Sequence, residues 1–164
     1  MASEFKNTEA FVKKYGKDVE KEIKSRLLTY GKQDSGKLYK SIRAEVKEEK
    51  SGFLLTYFKK GSAADEYGKY VDKGVSGHGI PEGFSGKIKQ VVTSGKFKFG
   101  DKMPPPESIK SWLKNKGIPK TASFTIRRSI WIFGIAPTQF FTIPTTRRQK
   151  QLEIGIEKNM ALDF

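Results

Sequence analysis

The side chains best suited to covalent or metal chemistry are nearly absent from this sequence. It holds no Cys and a single His, His78. That removes thiolate nucleophiles, disulfides, Cys-based zinc or iron–sulfur sites, and any multi-His metal site within one chain. A Ser–His pair would have to use His78, which stands in a glycine-rich stretch. Glu48, Glu49, Asp65, Glu66 and Asp72 offer adjacent carboxylates. In lysine-rich sequence such acids form a solvated face more often than an acid–base pair. Gly36-Lys37 has the look of a phosphate loop, but that loop needs Ser or Thr after the Lys, and Leu38 follows. The expectation is therefore a protein that is not an enzyme, with no catalytic residue, no metal ligand and no cofactor.

Charge is the chemistry the sequence does carry. Thirty-two Lys and Arg against 18 Asp and Glu give a net +14, and both halves share it, with +6 over residues 1–60 and +8 over 61–164. Such a field suits a polyanion, and nucleic acid is the usual one. The densest source is a stretch over 74–103. It contains seven glycines and five lysines, Lys87, Lys89, Lys96, Lys98 and Lys102, with few acids. Basic and aromatic residues alternate at Lys96-Phe97-Lys98-Phe99, a pattern able to stack bases on a charged platform. No helix–turn–helix, zinc-finger or RNP motif accompanies it, so any contact with nucleic acid is expected to be independent of sequence.

These residues need a scaffold, and 164 residues fit one domain with a core. Phe5, Val12, Tyr15, Val19, Ile23, Leu27 and Tyr30 recur at helical spacing, with Glu9/Lys13 and Glu20/Lys24 one turn apart and Gly31 as a stop. Residues 43–49 and 53–60 read as an antiparallel hairpin across Lys50-Ser51-Gly52. A short helix follows over 64–71. Period-2 alternation over 87–92 and 96–99 predicts a second hairpin, a projecting β-finger. A Pro-led helix over 107–116, with Ile109, Trp112 and Leu113 as its stripe, closes at Gly117. Another helix covers 122–133, the chain turns at Gly134–Pro137, and Phe140-Phe141 forms an apolar anchor. Leu152, Ile156 and Met160 mark a C-terminal helix with Arg147, Arg148 and Lys150 near its start.

The fold class expected is α+β: a twisted antiparallel sheet from 43–60 and later strands, packed by the long N-terminal helix and the 107–116 helix. One domain spans 1–164, with the Gly/Lys-rich β-finger inserted at 74–103. Trp112 and Phe141 are expected in the core. No stretch approaches the roughly 18 apolar residues of a membrane span. The polar opening MASEFKNTEAF is not a secretory signal, so an intracellular protein without a membrane partner is expected.

The order of motifs resembles small phage head–tail connector and tail-completion (neck) proteins. A helix ends near Ser35-Gly36-Lys37-Leu38, and a hairpin follows. Tyr70-Val71-Asp72-Lys73-Gly74 is similar to the family's Tyr-Val-Asp-x-Gly signature. Ile109 to Leu113 is similar to its Ile-x-x-Trp-Leu helix, with the exit Lys116-Gly117-Ile118. Gly134 to Phe141, including Pro137, Phe140 and Phe141, is similar to its Gly-Ile-x-Pro-x-x-Phe-Phe segment. The stretch of about thirty residues after Gly74 departs from the family, which crosses that interval in a few residues.

The resemblance implies a structural subunit of a homo-oligomeric ring, six- or twelve-fold, set between portal or adaptor and tail proteins, through which viral DNA passes. It implies location in the virion neck or tail, and in the host cytoplasm during assembly. The five lysines of the insertion then become candidates for channel lining or contact between rings. The alternative is a free-standing, sequence-independent nucleic-acid-binding module.

Overall fold

The computed structural model describes residues 5–31, 36–50, 52–87 and 89–164. The chain is α+β and divides into two compact units. The first contains helix α1 (Lys6–Thr29), the short α2 (Lys37–Ser41), strands β1 (Ile42–Glu49) and β2 (Gly52–Phe58), and helix α6 (Thr142–Asp163). Helix α3 (Ala63–Lys73) leads into the second unit. There follow β3 (Val75–Ser76), β4 (Phe97–Lys98), α4 (Glu107–Asn115), α5 (Ser123–Phe133) and β5 (Gly134–Ile135).

α1 forms where its apolar spacing predicts. Val12, Tyr15, Val19, Ile23 and Leu27 are buried, and Gly31 follows the helix at φ 59°. Its buried face lies on the β1–β2 hairpin and on α6. A Cβ at Gly16 would stand 2.8 Å from Leu55 and 3.2 Å from Ala44, so this glycine sets how closely helix and hairpin approach. The Glu20 carboxylate accepts the backbone N–H of Ala44 at 2.8 Å, beside a shift of register between Ile42 and Glu45.

α6 is bound to α1 by polar contacts at both ends. Arg148 Nε donates to Glu22 at 2.8 Å, Arg147 approaches the same carboxylate, and the Tyr15 hydroxyl donates to the Arg148 carbonyl. The basic start of this helix is thus part of the scaffold. At the other end the Asp163 carboxylate accepts from the backbone N–H groups of Asn7 and Thr8 and from the Thr8 hydroxyl, at 2.7–2.9 Å. These are amides that the first turn of α1 leaves without helical partners. Partial burial opposes the charge, but the hydrogen bonds from Thr8 and Asn7 outweigh it and hold the Asp163 carboxyl below the ordinary aspartate value.

A carboxyl with a lowered folded pKa stabilises the fold above about pH 4, where it is ionised folded and unfolded alike. That contribution is lost as pH falls through the lowered value. Asp163→Asn should therefore lower the thermal midpoint at neutral pH. It should also flatten the acid side of the stability profile below pH ~4, measured by circular dichroism melts across pH.

Two expectations about the sheet are corrected. There are two small sheets instead of one: the β1–β2 pair, and a three-stranded sheet in the order β4-β3-β5 with β3–β4 parallel. The 107–116 helix belongs to the second unit, whereas β1–β2 belongs to the first. α4 packs on α5 and on the 3-10 turn Lys120–Ala122 in the second unit. Its buried residues are Ile109 and Leu113, while Trp112 is only half-buried, one step round the helix from the contact face. In the first unit Phe140 is completely buried, whereas Phe141 is half-buried with its ring 4.8 Å from Phe58 and 5.9 Å from Tyr57. Phe140→Ala should cost about 3–5 kcal/mol, the usual range for a buried phenylalanine. Phe141→Ala should cost clearly less, and urea unfolding of the two variants side by side checks the order.

Candidate functional site

The motif residues of the second unit come together around a backbone junction. α3 ends at Gly74, whose N–H donates to the Tyr70 carbonyl and whose φ of +73° suits glycine. A Cβ there would lie 2.7 Å from the Pro137 nitrogen and 2.8 Å from the Ile135 carbonyl. Thr138 donates through both N–H and hydroxyl to the Val71 carbonyl, and Gln139 N–H donates to the Asp72 carbonyl. Val75 and Ser76 pair with Ile135 and Gly134. Two segments some sixty residues apart therefore interlock through main-chain groups. The Asp72 side chain is buried, with the Lys73 ammonium 3.6 Å away, and the Tyr70 ring meets Phe97 edge-on at 4.7 Å. Gly117, at φ 64°, ends α4 as expected, and Ile118 N–H donates to the Leu113 carbonyl.

The projecting β-finger is not formed. Phe97–Lys98 pairs in parallel with Val75–Ser76, and the described residues of 87–92 are not strand. The physical cause is the buried Ser76, whose hydroxyl lies 3.1 and 3.0 Å from the carbonyls of Thr93 and Gly95. A Cβ at Gly95 would stand 2.5 Å from the Ser76 nitrogen. Gly95 thus lets this turn press onto β3, which directs the following residues to β3 and away from 87–92. Gly77 N–H donates to Val92, and Val92 N–H to Phe133. The insertion is woven into the second unit, and its residues 76–101 cannot be removed without taking part of the central strand.

All five candidate lysines, Lys87, Lys89, Lys96, Lys98 and Lys102, are exposed. Among the described residues none of them is in an ion pair. The aromatics interleaved with them are less available, since Phe97 is packed on Tyr70. A better exposed basic–aromatic group lies elsewhere in the same unit, where a shallow hollow is lined by Lys102, Phe124, Arg127, Arg128 and Trp131, together with Met103 and one acid, Asp101. Phe124 is 56% exposed. Trp131 stacks on His78 with ring centroids 4.2 Å apart, and its indole N–H donates to the Gly100 carbonyl. Sequence reading missed this group because Lys102 joins the α5 residues only through the tertiary fold. The helical spacing of Phe124, Arg127, Arg128 and Trp131 was the one available signal.

Among the described residues no three His, Asp or Glu side chains gather as a metal site, and no helix is long and apolar enough to cross a membrane. Comparison of the chain with family models, with curated proteins and with solved structures finds no match.

Proposed function

We propose that the chain is a structural, non-catalytic subunit of a phage neck or tail-completion ring, joining the portal to the tail and letting DNA pass. The observation that supports this reading most is the interlocking of Tyr70–Gly74 with Gly134–Pro137. Two of the motifs that carry the resemblance are used to join backbone to backbone, a structural role that leaves no reacting group among them. The exposed lysines supply the second part. A ring multiplies their charge around a lumen, and contacts with phosphates alone fix no sequence register. The partners would be further copies of the chain, six or twelve to a ring, the portal or adaptor and tail proteins, and viral DNA without sequence preference. The place would be the virion neck, reached from the host cytoplasm.

The free-standing nucleic-acid-binding module remains the second reading, now carried by the hollow with Phe124, Arg127 and Arg128 instead of by Phe97. Light scattering on the purified protein, with negative-stain images of the same sample, separates the two. A six- or twelve-fold ring is expected. A monomer at all concentrations that binds single- or double-stranded DNA tightly would overturn the ring and favour the module.

A further inference from the structure

One face of α5 is not spent on the core. Phe124, Arg127, Arg128 and Trp131 follow one another at steps of three, one and three, the spacing of a single helix face. None of the four is buried, while the residues α5 does bury, Ile132 and Phe133, lie outside that face. An exposed aromatic ring is ordinary by itself. Phe124, 56% exposed, differs in standing among cations that the fold holds in place.

The residues around it are each fixed by a different part of the second unit. The Trp131 ring stacks on His78 at 4.2 Å, and its N–H donates to the Gly100 carbonyl at 3.0 Å. Arg127 Nε donates to the Pro104 carbonyl, which leaves the two terminal amino groups of its fork without a partner among the described residues. The Arg128 guanidinium lies 5.4 Å from the centre of the Phe84 ring. Side chains held in this way lose little further freedom when a ligand arrives.

Their charge is not compensated. α5 and residues 96–104, tied to it through Gly100 and Pro104, hold five basic residues, Lys96, Lys98, Lys102, Arg127 and Arg128, against one acid, Asp101, a net +4. Among the described residues neither Asp101, which also lines the hollow, nor Glu82, two residues before Phe84, makes an ion pair with any of them. The next acid along the chain, Glu107, is paired with Lys110. Lys98 and Lys102 each stand two residues from Gly100, so their Cα atoms lie within about 7 Å of the backbone that Trp131 holds.

We infer that this hollow binds single-stranded nucleic acid, with an unpaired base laid on Phe124 and the adjoining phosphates met by Arg127, Arg128 and Lys102. Phosphates alone would not need the ring. A duplex keeps its base faces inside its own stack, whereas every base of a single strand presents a face to an aromatic platform. The volume of the hollow, about 470 Å³, lies in the range of small-ligand sites. The inference rests on the nucleic-acid contact common to both readings of the function, and adds the form of strand that this site takes.

Phe124→Ala removes the ring and leaves every charge in place, so it separates base stacking from the general attraction of a polyanion to a chain of +14. Fluorescence anisotropy would follow a labelled thymidine strand of about twelve nucleotides, within the usual span of such sites, and a duplex of the same length. The substitution should weaken the single strand about tenfold, the low end of what one lost base–aromatic stack costs. Duplex affinity should not move, and Phe124→Trp should keep the parent affinity for the strand. Arg128→Gln should reduce the salt slope for the strand by about 0.7, one phosphate contact. If circular dichroism shows the alanine variant unfolded, Phe124→Leu, which keeps the bulk and loses the ring face, takes its place. A single strand held as tightly as by the parent, or a loss shared equally by the duplex, would overturn the hollow as a base site and leave the nucleic-acid contact standing. No binding of either form at low salt would sink both.

Discussion

Gly134→Ala should destabilise the second unit by about 3–5 kcal/mol, the sum of a strained backbone and a steric overlap. Gly134 sits at φ 81°, ψ −167°, a region open essentially to glycine alone. A Cβ there would also lie 2.4 Å from the Val75 carbonyl and 2.6 Å from the Gly77 nitrogen. Both neighbours are main chain of the central strand region, so neither can swing aside as a side chain would. Gly117→Ala, in the same unit, is the matched control. Gly117 also has positive φ, at 64°, but nothing lies within 4 Å of its missing Cβ, and its cost should stay near the ~1 kcal/mol of a left-handed residue in open space. Urea unfolding followed by tryptophan fluorescence reads the second unit, which holds both Trp112 and Trp131. Equal costs for the two substitutions would mean that the interlock of Val75–Gly77 with Gly134 contributes nothing.

Much of the local structure was legible because it depends on neighbours in sequence. The spacing from Phe5 to Leu27, the turn at Lys50–Gly52 and the Pro-led α4 each announce an element. What was not legible depends on distant backbone. Ser76 and Gly95 carry no periodic signal, yet their contact decides that Phe97–Lys98 joins β3. Alternation over 87–92 and 96–99 marks residues fit for strands without saying which edge they meet. Trp112 looked like core because it shares a stripe with Ile109 and Leu113, and the real contact face lies one residue round. The ties between α1 and α6, Glu22 to Arg148 and Thr8 to Asp163, span more than 120 residues, beyond any local pattern. The candidate site followed the same division. Its lysines and motif residues were nameable one by one, but the hollow around Phe124 exists only once α5 and Lys102 meet.

Reversing Lys87, Lys89, Lys96, Lys98 and Lys102 to Glu should abolish most of the salt dependence of DNA binding. Each reversal removes two positive charges, so the chain falls from +14 to +4. If all five lysines meet phosphates, the slope of log K against log salt for duplex DNA is about −4.5, and the variant loses it. The side chains are exposed and lie outside the contacts that hold the junction, so folding should be unchanged in the same melts. Reversing Lys13, Lys24 and Lys110 provides the contrast. These three are already engaged by Glu9, Glu20 and Glu107, so their reversal should move the slope much less for a comparable change of net charge per residue. A slope that survives the fivefold reversal would remove the insertion from the DNA path. It would transfer the contact to Arg127 and Arg128, whose reversal in the same titration should then produce the loss.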